Sequence, residues 1–541
     1  MRLSYPYGDL RILALIGYMI YNQSVYFAPG NGWTLGILGC TCLYLLSRFL
    51  LILHPRIHVP LHLVLLLWGI CEALYGNLQL YGYYPSNNGL YKMTGSFLNP
   101  GPFSGFLATI FPLALSCVLH PAENAGKIHR VIRYTAGLCL FLTLILLPAG
   151  MSRAAWVAVV TGSLVVFGSF HSPRKRFQSY YLRHKRKMLW GCSALLVLLI
   201  AASVSIYHLK KDSADGRLLI WKITARLIAE HPLTGVGAGN FAGAYGEAQA
   251  AYFTTGKNTP QETFVAGCPE YGFNEFLQIA AEHGIPALLL FLTVLVFAFR
   301  NARINRQYGI AGSLAAFLAF ACFSYPFSVP QSAILFALLL GCANSDFRHR
   351  PETCCRKQLL FTGIPLLVLL FPLFQTGRQW QIRQESIDSW KEEQTYYHMQ
   401  IYEGTADHYR KLYPVLKDEP RFLFEWGHSL SKTASYEESN RILREGTRFS
   451  SDPMFWNIMG KNHQALKQYR EAEACFRHAG DMVPHRLYPL YLLAHLYFES
   501  HQTEKGIAAA RTVISRTPKV MSAATEEMKA EMKEKLNTFT P

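Results

Sequence analysis

The chain has 541 residues, a net charge of +17 at pH 7, and 51% hydrophobic but only 16% charged residues. This length exceeds one ordinary domain, and the composition indicates a membrane protein. Residues 1–376 carry 29 Lys/Arg and 13 Asp/Glu, whereas the rest of the chain carries 23 and 22. Because the basic excess lies in the apolar part, with no basic patch interleaved with aromatic residues on a soluble domain, it favours contact with a lipid bilayer over nucleic acid.

Eleven apolar runs are long enough, or nearly so, to cross a bilayer, which needs about 20 apolar residues per helix. They cover residues 10–28, 33–53, 60–80, 102–120, 131–149, 152–170, 188–207, 284–300, 309–325, 328–343 and 358–376. Arginines and lysines concentrate in alternate connections, so the positive-inside rule places the N-terminus inside. The same rule places the 208–284 loop and everything after residue 376 outside. We therefore expect an all-α fold with a polytopic bundle of about eleven transmembrane helices over residues 1–376.

The twelve cysteines predict neither a metal site nor a redox centre. Most of them lie inside apolar runs, where cysteine behaves as a small hydrophobic residue. No C-x-x-C pair occurs, so the spacing typical of a metal-binding or redox motif is missing.

Two short outward connections carry features of interest. The segment 83–108 has turn-forming Pro, Gly and Asn and leads into small residues, which suit close helix packing and lining a substrate path about equally. In the segment 148–156, Arg153 lies just inside an apolar run, where a charge is costly unless it is paired or reaches the interface. Because Arg153 opposes the positive-inside trend, an anion contact is favoured over a plain anchor.

The loop 208–284 is the only sizeable polar segment between apolar runs, and we expect any chemistry to lie there. Its stretch DGRLLIWKITARLIAEHP predicts an interfacial helix with Trp221 at the headgroup level and cations towards phosphates. The alternative, a helix packed on the protein with solvated cations, fits Lys222 and Arg226 about equally well. For Arg217 it fits less well, because Trp221 one turn on would hold the guanidinium against an apolar wall. A guanidinium fork suits a diphosphate.

The second half of the loop combines glycines, carboxylates and an imidazole. The glycines of GVGAGNF expose N–H groups that could form an anion nest, but a simple turn is the favoured interpretation. Without a preceding strand, the dinucleotide-binding interpretation is rejected. In PEYGFNEFLQIAAEHG, several polar residues recur about one helical turn apart: Asn274, Glu275, Gln278, Glu282 and His283. Such a set suits general-base work on a hydroxyl, and solvation of a helix end is the alternative.

Residues 377–541 predict a soluble α-solenoid of the tetratricopeptide type. In PMFWNIMGKNHQALKQYREAEACFRHAGDMVP, six residues stand at the expected positions of a 34-residue repeat: Trp456, Gly460, Ala472, Phe476, Ala479 and Pro484. The next 34 residues keep the pattern, and a degenerate unit precedes it. Stacked helix pairs of this type leave a concave surface for a protein partner or a peptide acceptor.

Four stretches together resemble the O-antigen ligase / Wzy-like polymerase superfamily: GSFLNPGPFSGFLA, GMSRAAW, DGRLLIWKITARLIAEHPLTGVGAGNF and FNEFLQIAAEHGIPALLLF. The resemblance covers most of residues 90–300. It implies transfer of a glycan from an undecaprenyl-diphosphate carrier at the periplasmic face of the bacterial inner membrane, without a nucleotide sugar, cofactor or obligate metal. The acceptor would be the lipid A core, a growing polysaccharide or a protein. Arg153 and Arg217 match the family's positions for binding the carrier diphosphate.

One position departs from the family, in which a histidine commonly precedes the Asn of the final motif. Here that position is Phe273, and a phenyl ring cannot accept a proton. Either a neighbour substitutes, or this branch works without the histidine, or it has lost ligase activity. The expected substrate-binding residues are Arg153, Arg217, Lys222 and Asn274, and the candidate catalytic residues are Glu275, Glu282 and His283.

Two other classes of protein compete with an enzyme. A non-catalytic scaffold for surface-polysaccharide assembly would tolerate Phe273. A multipass transporter should carry ionisable residues at mid-membrane, and the sequence offers few, chiefly Glu72.

Overall fold

The computed structural model describes residues 6–27, 31–119, 127–168, 211–345 and 352–539, and helices are the regular secondary structure of these ranges. Its membrane part begins with α1 (Pro6–Tyr26), α2 (Asn31–Leu53), α3 (His58–Leu80), α4 (Pro100–Leu119), α5 (Lys127–Ala149) and α6 (Arg153–Gly168). The loop carries α7 (Lys211–Glu230), α8 (Phe241–Thr254) and α9 (Pro260–Val265). It is followed by α10 (Glu275–Ile304), α11 (Tyr308–Ala321), α12 (Pro330–Ala343) and α13 (Glu352–His398).

Six described helices are long and apolar enough to cross a membrane, and they include α2, α3, α4, α5, α10 and α13. The helices α6, α11 and α12 are shorter apolar segments. The protein is therefore a multipass membrane protein. Each predicted run coincides with a described helix except 188–207, which lies outside the described residues, so the total of eleven stays a prediction.

The helix α4 lies at the centre of the bundle. It packs against α3, α5, α6 and α11, and all its residues from Pro102 to Ala114 are buried. Gly105 has no side chain, so the ring of Phe320 on α11 lies directly against its backbone. A Cβ at Gly162 of α6 would lie 2.6 Å from the carbonyl oxygen of Gly312 on α11. Small residues thus allow close helix packing, as the sequence of this segment suggested.

Two buried carboxylates of the membrane part have partners within the protein. Asp9 of α1 pairs with Arg48 of α2 at 3.0 Å, and both side chains are almost fully buried. Glu72 of α3 accepts hydrogen bonds from the backbone N–H (3.1 Å) and the hydroxyl (2.6 Å) of Ser96. Glu72 therefore ties the connection between α3 and α4 to the bundle, and both carboxylates are satisfied as buried charges must be.

The loop folds into a compact unit on top of the bundle. Its core contains Leu219, Ile223 and Leu227 of α7, which pack with apolar residues of α8, α9 and α10: Phe241, Tyr245, Tyr252, Phe253, Val265, Ala266 and Ala281. The helix α7 thus presents its apolar stripe to the protein. This arrangement corresponds to the packed alternative for α7 rather than to a helix immersed in the interface.

The C-terminal part consists of helices joined by short turns, in the order α14 (Tyr402–Leu416), α15 (Pro420–Lys432), α16 (Tyr436–Gly446), α17 (Met454–Ala465), α18 (Tyr469–Met482), α19 (Tyr488–Glu499), α20 (Thr503–Ser515) and α21 (Ala523–Phe539). The pairs α15/α16, α17/α18 and α19/α20 begin at Pro420, Met454 and Tyr488, a spacing of 34 residues. Their inner turns each contain one residue with a left-handed backbone: Ala434 (φ 62°), Lys467 (φ 61°) and His501 (φ 58°). The assignment to the tetratricopeptide type stays a prediction.

Two connections join the C-terminal part to the rest of the protein. The 47-residue helix α13 runs without a break through the predicted domain boundary at residue 376. In addition, α8 of the loop lies against α18: Gln249 Nε2 donates to the carbonyl of Met482 at 2.6 Å, and a Cβ at Gly243 would overlap the carbonyl of Arg448. The hydroxyl of Ser451 donates to the carbonyl of Pro269 at 3.3 Å. The loop and the C-terminal part therefore contact each other directly.

Candidate functional site

Two arginines predicted to bind an anion lie on separate elements but within electrostatic range of each other. Arg153 is the first residue of α6, and Arg217 lies in α7 of the loop. Burial lowers the pKa of Arg217 from its ordinary value, and the nearby positive charge of Arg153 lowers it further. Among the described residues, no carboxylate forms an ion pair with Arg217. Two guanidinium groups within electrostatic range repel each other, so an anionic ligand close to both would be stabilised.

An aromatic wall adjoins this arginine pair. The guanidinium carbon of Arg217 lies 5.4 Å from the ring centroid of Phe273, within range of a cation–π contact. The Phe273 ring meets Tyr325 edge-on at 5.4 Å between centroids, and Tyr271 stacks on Tyr325 at 4.6 Å. Burial raises the pKa of Tyr271 to about 12, and neighbouring acidic groups, beginning with Glu270, add to the rise. Tyr271 is therefore a neutral hydroxyl group at physiological pH.

A chain of hydrogen bonds connects α7 to the start of α10. Trp221 Nε1 donates to the carbonyl of Gly272 at 3.1 Å, and the Gly272 N–H donates to Gln278 Oε1 at 2.7 Å. Gln278 Nε2 in turn donates to Glu282 Oε1 at 3.0 Å. Since Trp221 lies one turn after Arg217, these bonds fix the position of the arginine relative to the carboxylate of Glu282.

The polar residues predicted for the site lie together at the start of α10, but their side chains have different surroundings. Asn274 is the N-cap of α10, and its Oδ1 accepts from the N–H groups of Phe276 (3.0 Å) and Leu277 (3.2 Å). Glu275 is buried and accepts from the backbone N–H of Phe327 at 2.6 Å. The side chain of His283 is also buried, and its ring lies 5.1 Å from that of Trp33 on α2.

Glu282 lies two turns after Glu275 on the same face of the helix. Its Oε1 accepts from the backbone N–H of Gly239 at 3.2 Å as well as from Gln278. Unlike Glu275 and His283, the residue Glu282 keeps a partly exposed surface.

The glycine-rich turn after α7 is held by the protein itself. A Cβ at Gly235 or Gly284 would overlap backbone atoms, because the turn and the end of the Glu275–His283 segment lie directly against each other. Each N–H group of residues 235–239 donates within the protein: to His231 O, Ala281 O, Glu282 O, Gln23 Oε1 and Glu282 Oε1, in that order. The turn is therefore a structural connection, as the favoured interpretation had it, rather than an anion nest.

Lys222 makes an ion pair within the loop. Its Nζ lies 2.5 Å from Glu262 Oε1 and 2.7 Å from the hydroxyl oxygen of Tyr252. Hydrogen bonds to these two groups raise the pKa of Lys222. Arg226, one turn later, lies over the Tyr252 ring at 4.5 Å. The predicted contact of Lys222 with a substrate stays a prediction.

The candidate site has no metal-binding group of side chains. Within the described ranges, no cluster of three or more His, Cys, Asp or Glu residues is arranged to hold a metal ion.

The segment from α5 to α10 is the part of the chain that resembles a known protein family. Residues 138–292 match the O-antigen ligase family. The matched segment contains every residue predicted for the site, from Arg153 to His283, and it supports a place for this chain in the O-antigen ligase superfamily. No curated protein matches the chain.

Two residues of the aromatic wall were not predicted from the sequence: Tyr271, which lies inside the O-antigen ligase-like segment, and Tyr325, which follows it. Tyr271 stands two residues before Phe273 in the final family motif. Tyr325 lies in the connection between α11 and α12, directly before Pro326. A tyrosine next to a proline at a helix break was a usable signal. The stacking of Tyr271 on Tyr325, across 54 positions of the chain, was not readable from either stretch alone.

Proposed function

We propose that the chain transfers a glycan from an undecaprenyl-diphosphate carrier to an acceptor at the periplasmic face of the bacterial inner membrane. The acceptor would be the lipid A core, a growing polysaccharide or a protein. The observation that carries this proposal is the setting of Arg217. Its guanidinium group lies beside the Phe273 ring, is within electrostatic range of Arg153, and forms no ion pair with a described carboxylate. The family match over residues 138–292 supports a ligase-like role in glycan transfer.

In the proposed reaction an acceptor hydroxyl oxygen attacks the anomeric carbon of the glycan. A new C–O bond forms while the bond between that carbon and the carrier diphosphate breaks, and the diphosphate leaves with the electron pair. Negative charge grows on the diphosphate in the transition state, where the guanidinium groups of Arg153 and Arg217 would stabilise it most strongly. Guanidinium forks suit this task because they can bind two phosphate oxygens at once.

The proton of the acceptor hydroxyl would pass to a side chain at the start of α10. Of the three candidates, Glu282 is the best placed, because Glu275 and His283 are buried whereas Glu282 is partly exposed. Hydrogen bonds through Gln278, Gly272 and Trp221 link Glu282 to the helix that carries Arg217. A positioned carboxylate of this kind suits general-base catalysis.

Lys222 and Asn274 would complete the substrate-binding set. Lys222 holds α7 against α8 and α9 through Tyr252 and Glu262, and Asn274 caps α10. We propose that both keep the arginine pair and the aromatic wall at the correct distance from the carrier. Any direct contact of Lys222 or Asn274 with the carrier would be additional to their hydrogen bonds within the protein.

The proposed topology has the N-terminus in the cytoplasm and a membrane domain over residues 1–376. The loop and a tetratricopeptide-like domain over residues 377–541 would lie in the periplasm. The contact between Gln249 and Met482 supports a common side for both. The 34-residue spacing of the helix pairs supports a repeat surface that binds a protein partner or a protein acceptor.

The test uses a strain in which the gene is deleted and returned as variants. Arg217→Ala should abolish transfer while the protein remains in the membrane, and Arg217→Lys should restore only part of the activity, because an ammonium cannot form the bidentate contact. Lipopolysaccharide, free polymer and glycosylated protein are all measured, so that the acceptor is identified by the species that loses its glycan.

Arg226→Ala is the matched control, since Arg226 lies on the same helix but stacks on Tyr252. We expect normal transfer for this variant. Normal transfer by Arg217→Ala would contradict the proposal.

A scaffold without catalysis is the second candidate, and Phe273 is the observation that favours it. The Phe273 ring contacts Arg217 and Tyr325 but cannot take part in proton transfer. A scaffold should tolerate Arg217→Ala yet lose function when Gly243→Leu disturbs the contact with Arg448. A transporter is less well supported, because the buried carboxylates Asp9 and Glu72 already have partners.

A further inference from the structure

A second concave site lies at the end of the bundle opposite the loop. Its cavity has a volume of about 390 Å³ and is formed by the first turns of α3 and α5, the second half of α4 and the connection between α10 and α11. The helix α10 begins beside the loop at Glu275 and ends at Ile304, next to this cavity. The cavity is therefore about one bilayer thickness, roughly 30 Å, from the arginine pair of the candidate site.

Six basic or imidazole side chains line this cavity: His58, His62, His129, Arg130, Arg133 and Arg306. No carboxylate is present among its described lining residues. Arginines at this end of a bundle follow from the positive-inside rule alone. Their arrangement around a cavity, together with three histidines and an apolar floor that includes Leu113 and Ile132, does not follow from that rule.

Hydrogen bonds hold the connection that carries Arg306. The N–H of Arg306 donates to Arg303 O, and that of Gln307 donates to Ala302 O, which is the paired hydrogen bonding of a Schellman motif. The side chains of Asn305 and Gln307 donate to the carbonyl of Ser345 at 2.9 and 2.8 Å. Arg306 has a left-handed backbone (φ 56°), at the position where such motifs favour glycine.

We propose that this cavity binds the phosphate group of a phosphoester, held by the guanidinium groups of Arg130, Arg133 and Arg306. Planar guanidinium groups bind phosphate oxygens in pairs, and imidazole N–H groups can donate to those that remain. The apolar floor would accommodate part of the esterified group. Two sources have this chemistry, namely the headgroup of an anionic phospholipid in the adjacent leaflet and a soluble phosphate compound.

A metal ion is a poorer occupant of the same cavity. Its three histidines do not belong to any cluster that could hold a metal ion within the described ranges. Three arginines would also repel a cation. The charge of the lining thus favours an anion.

The test uses the full chain purified in a non-ionic detergent. Native mass spectrometry measures retention of phosphatidylglycerol against phosphatidylcholine, and thermal unfolding measures stabilisation by inorganic phosphate. Preference for phosphatidylglycerol would identify the lipid source, and stabilisation by phosphate without lipid preference would identify the soluble one. The double variant Arg133→Gln/Arg306→Gly should weaken the binding about tenfold or more, since two charge-assisted contacts are lost.

Arg306→Gly alone keeps the test valid if the double variant folds poorly, because the backbone at position 306 favours glycine. Arg303→Gln is the matched control: it removes the same charge from the same helix end, but Arg303 does not line the cavity. We expect this control to bind as the wild type does. Absence of binding in both arms, or an equal loss in Arg303→Gln and Arg306→Gly, would overturn the proposal.

Discussion

The glycine-rich turn and Arg217 belong to the same loop and both looked suited to an anion, but their surroundings in the protein differ. In the turn, the N–H groups of residues 235–239 all donate to acceptors within the chain. At the arginine pair, Arg217 has Arg153 and the Phe273 ring beside it and no carboxylate ion pair among the described residues. A polar group that the fold has already satisfied supports structure, whereas converging like charges create a place for a ligand.

After the loss of transfer expected for Arg217→Ala, the next largest effect is expected at Glu282, which accepts hydrogen bonds from Gly239 of the turn and from Gln278. If its carboxylate accepts the proton of the acceptor, Glu282→Gln should slow transfer about a thousandfold. The fold should persist, because the amide oxygen can still accept from Gly239 and Gln278. Transfer rates of membranes that carry equal amounts of each variant give the measurement.

Glu275→Gln and His283→Gln provide the comparison for that experiment, since they lie on the same helix in more buried positions. Activity retained in Glu282→Gln but lost in one of these would move the base to that residue. Full activity in all three would mean that α10 supplies no base.

A smaller effect is expected when the satisfied region is broken at Gly284. Its backbone (φ 80°, ψ 170°) lies in a region open essentially only to glycine, and a Cβ would overlap the carbonyl of Leu233. We expect Gly284→Ala to lower the free energy of unfolding by about 3 kcal/mol, because strain and overlap add. Thermal unfolding in detergent, followed by tryptophan fluorescence, measures this loss.

Gly256→Ala is the control for that substitution. Gly256 also has a left-handed backbone (φ 65°), but no atom lies within 4 Å of the added Cβ, so about 1 kcal/mol should be lost. Equal losses for Gly256→Ala and Gly284→Ala would show that the packing of the turn on α10 contributes nothing.

The smallest effect concerns the ion pair of Lys222 and Glu262. Burial opposes ionisation of Glu262, but hydrogen bonds from Lys222, the Thr259 backbone and Tyr252 lower its pKa to about 2, from an ordinary value of 4.5. A lowered carboxyl pKa stabilises the fold above pH 4.5, and this stability is lost as the pH falls towards 2. The contribution should be about 0.2–1 kcal/mol, because the Lys222 side chain is 44% exposed.

The measurement compares the free energies of unfolding of the wild type and of Glu262→Gln at pH 6 and at about pH 3. The difference in stability should shrink at the lower pH. Glu230→Gln, at the exposed end of α7, should show no such trend. A constant difference between wild type and Glu262→Gln would contradict the role of this ion pair.

The sequence was informative about elements and much less so about partners. Apolar runs predicted the described membrane helices, and the pattern around Trp221 predicted α7. The same pattern could not tell whether α7 faces lipid or protein, since both surroundings accept an apolar stripe. The ion pair of Asp9 with Arg48 was missed because Asp9 lies just before the first apolar run and Arg48 lies inside the second, and neither stretch indicates the other as its partner.

Contacts between distant segments were the least predictable. The hydrogen bond from Gln249 to Met482 joins the loop to the C-terminal part. The sequence pattern of each region predicts its own helices but does not indicate that the two regions contact each other. The ring of Phe273 was noted only as a missing histidine. Its contacts with Arg217 and Tyr325 depend on a left-handed backbone (φ 50°) that the residue type does not suggest.

The loop and the C-terminal part are connected twice, once along the chain through α10 and α13 and once through the packing of α8 on α18. The chain leaves the loop through α10, reaches the repeats through α13, and returns to the loop through the contacts of Gln249 and Ser451. The conformational entropy of the loop is therefore lost when the protein folds. A ligand at Arg217 meets a surface that is already ordered, so little of its binding free energy is consumed in ordering the loop.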